Sequence, residues 1–175
     1  MAETVFFSGK KKTDSRVIIM KSATLLVGKK PESRKRVKIS CAMPLNGGQV
    51  KNAPEWLLNA YEFVLKNHEI VTFPDTKFAG MNVELDDDNL FDKPAKVPRS
   101  TLNKFAVHEV GDSEDPDVEL TFTMYAEFSN ALWRHIGQYG GNDHYARFEM
   151  AEPEANDNLT LTAESDDDED EEDGD

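Results

Sequence analysis

Apolar and polar residues alternate strictly along residues 118–128: Val118, Leu120, Phe122, Met124, Ala126 and Phe128 are interleaved with Glu119, Thr121, Thr123, Tyr125 and Glu127. A period of two is that of a strand with one buried and one wet face. Residues 34–43 repeat it, with Val37, Ile39, Cys41 and Met43 on one face and Arg34, Arg36, Lys38 and Ser40 on the other. Residues 144–150 do so again, sending Ala146, Phe148 and Met150 inward and Tyr145 and Arg147 outward. Residues 16–27 form a longer apolar, β-branched run of about 40 Å if straight, roughly twice an ordinary strand, so a bend is expected near Ser22 and Ala23. Shorter strands are expected over residues 4–7, 70–73, 77–85 and 102–110.

Two segments change period. In residues 54–66, Trp56, Leu57, Ala60, Tyr61, Val64 and Leu65 recur at helical spacing, after Asn52 as N-cap, Pro54 early in the helix and Glu55 completing a capping box. A second helix, 130–138, is expected behind Ser129 as its cap, closed by Gly140 and Gly141. Trp56, Tyr61 and Trp133 fall where these helices should pack and are assigned to the core. Residues 44–48 read as a turn, residues 111–117 as a polar hairpin loop, and residues 86–98, with Pro94 and Pro98, as a long exposed connection.

These elements describe an α+β, mainly β fold: a curled antiparallel sheet or OB-like barrel with two helices. Residues 1–150 make one folded domain. Residues 151–175 carry 13 acidic residues and no basic ones, and ten of the last twelve positions are Asp or Glu. Such a run buries too little apolar surface to offset ordering entropy, and a disordered acidic C-terminal tail is expected.

Charge sharpens the picture. The net charge is −14, yet residues 1–67 hold 13 Lys and Arg against 5 Asp and Glu, and residues 68–175 hold 7 against 29. Between Lys10 and Lys38 there are 11 basic residues against Asp14 and Glu32. That density points to phosphate contacts, or alternatively to lysines that keep edge strands from pairing. The hairpin loops holding Lys10 to Lys12 and Lys29 with Lys30 lie at opposite ends of their shared strand, so they merge into one patch only if that strand curls.

No pattern names a reaction. The four histidines, His68, His108, His135 and His144, lack Cys or Glu at ligand spacing, and neither a phosphate loop nor a nucleophile elbow occurs. Asp86, Asp87 and Asp88 lack the order of a calcium loop and read as a solvated turn. Cys41 is the single cysteine; it falls on an inner face and fits a reducing compartment. No apolar run is long enough to span a bilayer and no secretory leader is seen, so a cytoplasmic protein is expected, with no membrane partner. No enzyme activity, cofactor or metal site is expected.

The expected function is single-stranded DNA binding of the replication or recombination type, with single-stranded nucleic acid as partner. Lys10, Lys11, Lys12, Arg16, Lys29, Lys30, Arg34, Arg36, Lys38 and Arg147 are the candidate nucleic-acid-binding cations. Tyr145 is the candidate stacking residue, ahead of Tyr125 with its acidic neighbours. A coil of 25 residues has ends about 25 to 30 Å apart, enough to reach across a domain with a radius of gyration near 15 Å, so the tail can compete for the basic groove. In layout the chain resembles the single-stranded DNA-binding replication proteins of bacteria and phages, which join an OB barrel to an acidic tail. That resemblance implies a phage or bacterial setting, the host cytoplasm if phage-encoded, and basic replication or nuclease proteins recruited through the tail. The alternative is an acidic nucleic-acid mimic that binds a basic protein, and a third possibility leaves the tail a solubilising appendage.

Overall fold

In a computed structural model, residues 15–30, 34–46, 50, 53–87, 90–111, 114 and 116–150 are described. The expected strand at 4–7, the lysines at 10–12, the cap Asn52, the turn glycines Gly47 and Gly48, Asp88, the side chain of Met150 and the tail 151–175 lie outside the described residues. The elements run β1 (Arg16–Leu26), β2 (Arg36–Pro44), α1 (Glu55–Asn67), β3 (Val71–Phe73), β4 (Phe78–Asp86), β5 (Ala95–Val110), β6 (Asp117–Glu127), α2 (Asn130–Tyr139) and β7 (Asp143–Met150).

The strands pair antiparallel in the order β3-β5-β4-β7-β1-β2-β6, and a further pairing of β5 with β6 joins the two sides. Six strands therefore close into a barrel and β3 adds a short seventh on β5, a mainly β architecture consistent with an OB-like barrel. Closure depends on β5. Its first part pairs with β4 through Val83 opposite Val97, and its second with β6 from Thr101 opposite Tyr125 to Val110 opposite Asp117.

The two-residue period accounts for the interior. Ile18, Val37, Ile39, Met43, Leu120, Met124 and Ala146 are at most 1 % exposed. Through the middle runs a chain of rings: Phe105 lies 5.6 Å from Trp56, 5.6 Å from Phe78 and 5.7 Å from Phe122, which reaches Phe148 at 6.0 Å. Leu57, Ala60 and Val64 bury one face of α1 against β5 and β6. Leu132 and His135 bury one face of α2 against β5 and β1. Cys41 is buried, and burial pushes its thiol up to about 12, so it behaves as a small hydrophobe. The bend expected in β1 is a register shift between Met20 and Ser22, the extra residue by which a barrel strand turns a corner.

Four expectations are corrected. The stretch 86–98 is not simply a connection: β5 starts at Ala95, Val97 is 2 % exposed and Phe91 is buried. Pro98 is tolerated because, among the described residues, this part of β5 pairs only with β4, beside a register shift. The outer face of β6 is not wet, since Glu119, Thr123 and Tyr125 are buried; long side chains from the strands on either side lie across it. Helix α1 starts one residue late, with Pro54 as an extended N-cap that makes no side-chain cap. Trp133 is not core: it is 39 % exposed.

Candidate nucleic-acid interface

The cations of β1 and β2 are sorted by register. Leu26 stands opposite Arg36, and Arg36 opposite Glu127; one row down, Thr24, Lys38, Tyr125 and Thr101 line up across β1, β2, β6 and β5. Beyond the first row lies the end of the β1–β2 hairpin, where Lys29, Lys30, Arg34 and Lys35 are all exposed. Residues 29–38 hold six cations and one acid.

Tyr125 anchors the middle of this face. Its ring, 5 % exposed, lies 5.8 Å from Lys38 Nζ and 5.8 Å from Lys104 Nζ, and Lys104 also donates to its hydroxyl at 3.2 Å. Such cation–ring contacts fix where the two ammonium groups stand. Lys104 reaches this position from a bulge, since the β5–β6 register shifts between Asn103 and Ala106 and Lys104 has φ 56°. A left-handed conformation costs a non-glycine residue about 1–2 kcal/mol, and here it re-aims a cation onto the outer face. Arg99, also exposed and at φ 56°, lies further along the same strand.

Acids temper the face at two places. Lys21 donates to Glu119 at 2.8 Å, and Glu119 also faces His108 Nε2 at 3.4 Å. Arg34 donates to Glu127 at 3.1 Å, with their side chains 77 % and 42 % exposed. A pair that exposed contributes little to stability.

The remaining expected residues do not join this group. Arg16 is 4 % exposed at the far end of β1, ten residues and about 33 Å of strand from the hairpin end. Arg36, expected on the wet face, is 8 % exposed; both arginines are engaged by other groups. Tyr145 and Arg147 lie on β7, with β1 between it and β2. Tyr145 is half-buried between the register positions of Val17 and Asp86. Arg147 donates to Glu84 at 2.6 Å and stacks 4.2 Å from the Phe91 ring. The cleft beside it, about 330 Å³, is edged by Lys96, Glu84 and Glu149, so its charges balance and it offers no excess for phosphate. The cations that converge are Lys29, Lys30, Arg34 and Lys38 from the expected set, with Lys35 and Lys104 added.

Comparison with family models, curated proteins and solved structures finds no match to this chain. The functional reading therefore rests on the arrangement of its own side chains. Among the described residues, no cluster of three or more His, Cys, Asp or Glu is placed to hold a metal ion, and no helix is long and apolar enough to cross a membrane.

Lys35 and Lys104 were missed for different reasons. Lys35 sits in the basic run, but strict alternation places it on the inner side of a strand; it lies just before β2, at the open end of the barrel, where its side chain is exposed. Lys104 has no sequence signal of its own, because its direction is set by a bulge.

Proposed function

We propose that this chain binds single-stranded nucleic acid without enzymatic action, in replication or recombination and in the cytoplasm, of an infected host if phage-encoded. The observation that carries the reading is the group of exposed cations at the hairpin end, Lys29, Lys30, Arg34 and Lys35, followed along the same strands by the half-buried Lys38 and the exposed Lys104 around Tyr125. A flexible strand follows such a curved face, whereas a stiff duplex meets only part of it. The acidic residues of 151–175 supply a competitor for the same surface, and phosphate displaces them at low salt.

The test is fluorescence anisotropy of a labelled oligo-dT across a salt series. Engagement of five or so phosphates gives a log–log salt slope of about −3 to −4. Replacing Lys29, Lys30 and Lys35 together by Glu is expected to weaken binding at least about tenfold and to flatten the slope by about 2. Wild-type affinity in that triple variant removes the reading. A second reading, an acidic protein that engages a basic protein, is favoured by the 13 acids of 151–175; it is selected by a pull-down of basic proteins that vanishes on tail removal, with no oligonucleotide binding by either form.

A further inference from the structure

Trp133 is the one tryptophan whose ring the core does not enclose among the two in the chain. Trp56 lies 4.8 Å from Phe73 and 5.6 Å from Phe105. Trp133 keeps 39 % of its surface open while its neighbour Leu132 is fully buried, so α2 turns the indole outward. An exposed ring of this size has a hydration cost that the fold does not recover.

Its position is fixed by backbone contacts to the basic face. The Phe128 N–H donates to Lys35 O at 3.0 Å, which carries the β2–β6 ladder one step past Arg36 and Glu127. Lys35 Nζ stands 6.0 Å from the Phe128 ring. Ser129 follows at once: its Oγ accepts from Leu132 N at 3.1 Å and its carbonyl from Trp133 N at 3.0 Å. These bonds bring the indole to 6.0 Å from Phe128, with the planes tilted by 50°. One side of the indole leans on Phe128, and the exposed Arg134 is its neighbour in the chain. Phe128 thus has the Lys35 ammonium and the indole each 6.0 Å from its ring, which puts an open aromatic surface one side chain away from Lys35.

We propose that Trp133 is the base-stacking residue of this interface: one unpaired nucleobase lies on the open indole while flanking phosphates meet Lys35 and Arg134. The assignment rests on the nucleic-acid reading above and narrows it. Every base has a π-face, so the site takes any single strand, DNA or RNA, and excludes paired bases because their faces are already stacked.

The experiment uses the full chain, with oligo-dT, oligo-U, a hairpin duplex and an abasic strand carrying the same number of phosphates. Tryptophan emission is followed during titration, with the Trp56 background taken from Trp133→Phe. Oligo-dT and oligo-U are expected to quench Trp133; the abasic strand binds without quenching. Trp133→Ala should weaken oligo-dT binding by about 5- to 100-fold and leave the abasic strand unaffected, and Trp133→Phe should restore most of the loss. Thermal melts of both variants establish that the fold is retained. If Trp133→Ala binds oligo-dT as wild type does, or loses the abasic strand equally, stacking is overturned while the phosphate face stands. If neither strand binds at low salt, both proposals fall together.

Discussion

Burial sets the chemistry of His135 and His144. Their rings lie 5.3 Å apart, His135 on α2 and His144 on β7, and each keeps a buried Nε2 that makes no hydrogen bond among the described residues. Burial, and then the neighbouring His144, pulls His135 down to about 4 from its ordinary 6.5, against an opposing pull from Asp87. Burial also lowers His144, against its bond to Asn142 O and the charge of Asp143. The unfolded chain therefore takes up protons near pH 6.5, well before the folded one does. The stability these imidazoles contribute is complete above pH 6.5 and is lost as pH falls from there toward 4. Thermal melts between pH 7 and pH 4 should show this decline, and His135→Leu should make it shallower; parallel curves for the two proteins would refute the assignment. Inward placement of His144 was legible from its period with Ala146 and Phe148. The fates of Arg147 and Arg36 were not, because alternation says which way a side chain leaves the strand and not what it meets there: Arg147 meets Glu84 and the Phe91 ring.

At the scale of elements, local signals were reliable where the cause is local. Ser129 accepts from Leu132 N as its sequence position implies, and since the same turn positions Trp133, this cap links stability to the interface. Ser129→Ala should cost about 1 kcal/mol in urea unfolding and also weaken oligonucleotide binding; a stability loss with unchanged binding would separate the two. Strand β1 likewise bends where a run of its length must. Elsewhere the cause lies in another strand. The outer face of β6 reads as solvent-facing, yet Lys21 and His108 converge on Glu119, and Lys38 and Lys104 cover Tyr125. The 16 residues of β5 form one element although a proline interrupts them, since β4 and β6 take its two ends in turn.

For the whole molecule the decisive quantity is where charge sits rather than its sum. A net of −14 argues against a polyanionic partner, but 13 of the 34 acids lie in 151–175, while Lys29, Lys30, Arg34, Lys35, Lys38 and Lys104 come from the β1–β2 hairpin and the strand face beside it. If those acids compete for that face, ending the chain after Ala151 should tighten oligo-dT binding and steepen its salt dependence. Unchanged affinity in an anisotropy titration would leave the cationic face intact and remove the competition. Strand periods, both helices, the Ser129 cap and the charge asymmetry follow from the order of the residues, because each arises from residues close together in the chain. Which cations share a face depends instead on how distant strands pair. Arg34 meets Glu127 across 93 positions, Lys104 is turned by a bulge, and Arg36 is buried between Leu26 and Glu127. Such outcomes depend on pairing register and barrel closure, which couple distant strands and leave no trace in any single segment.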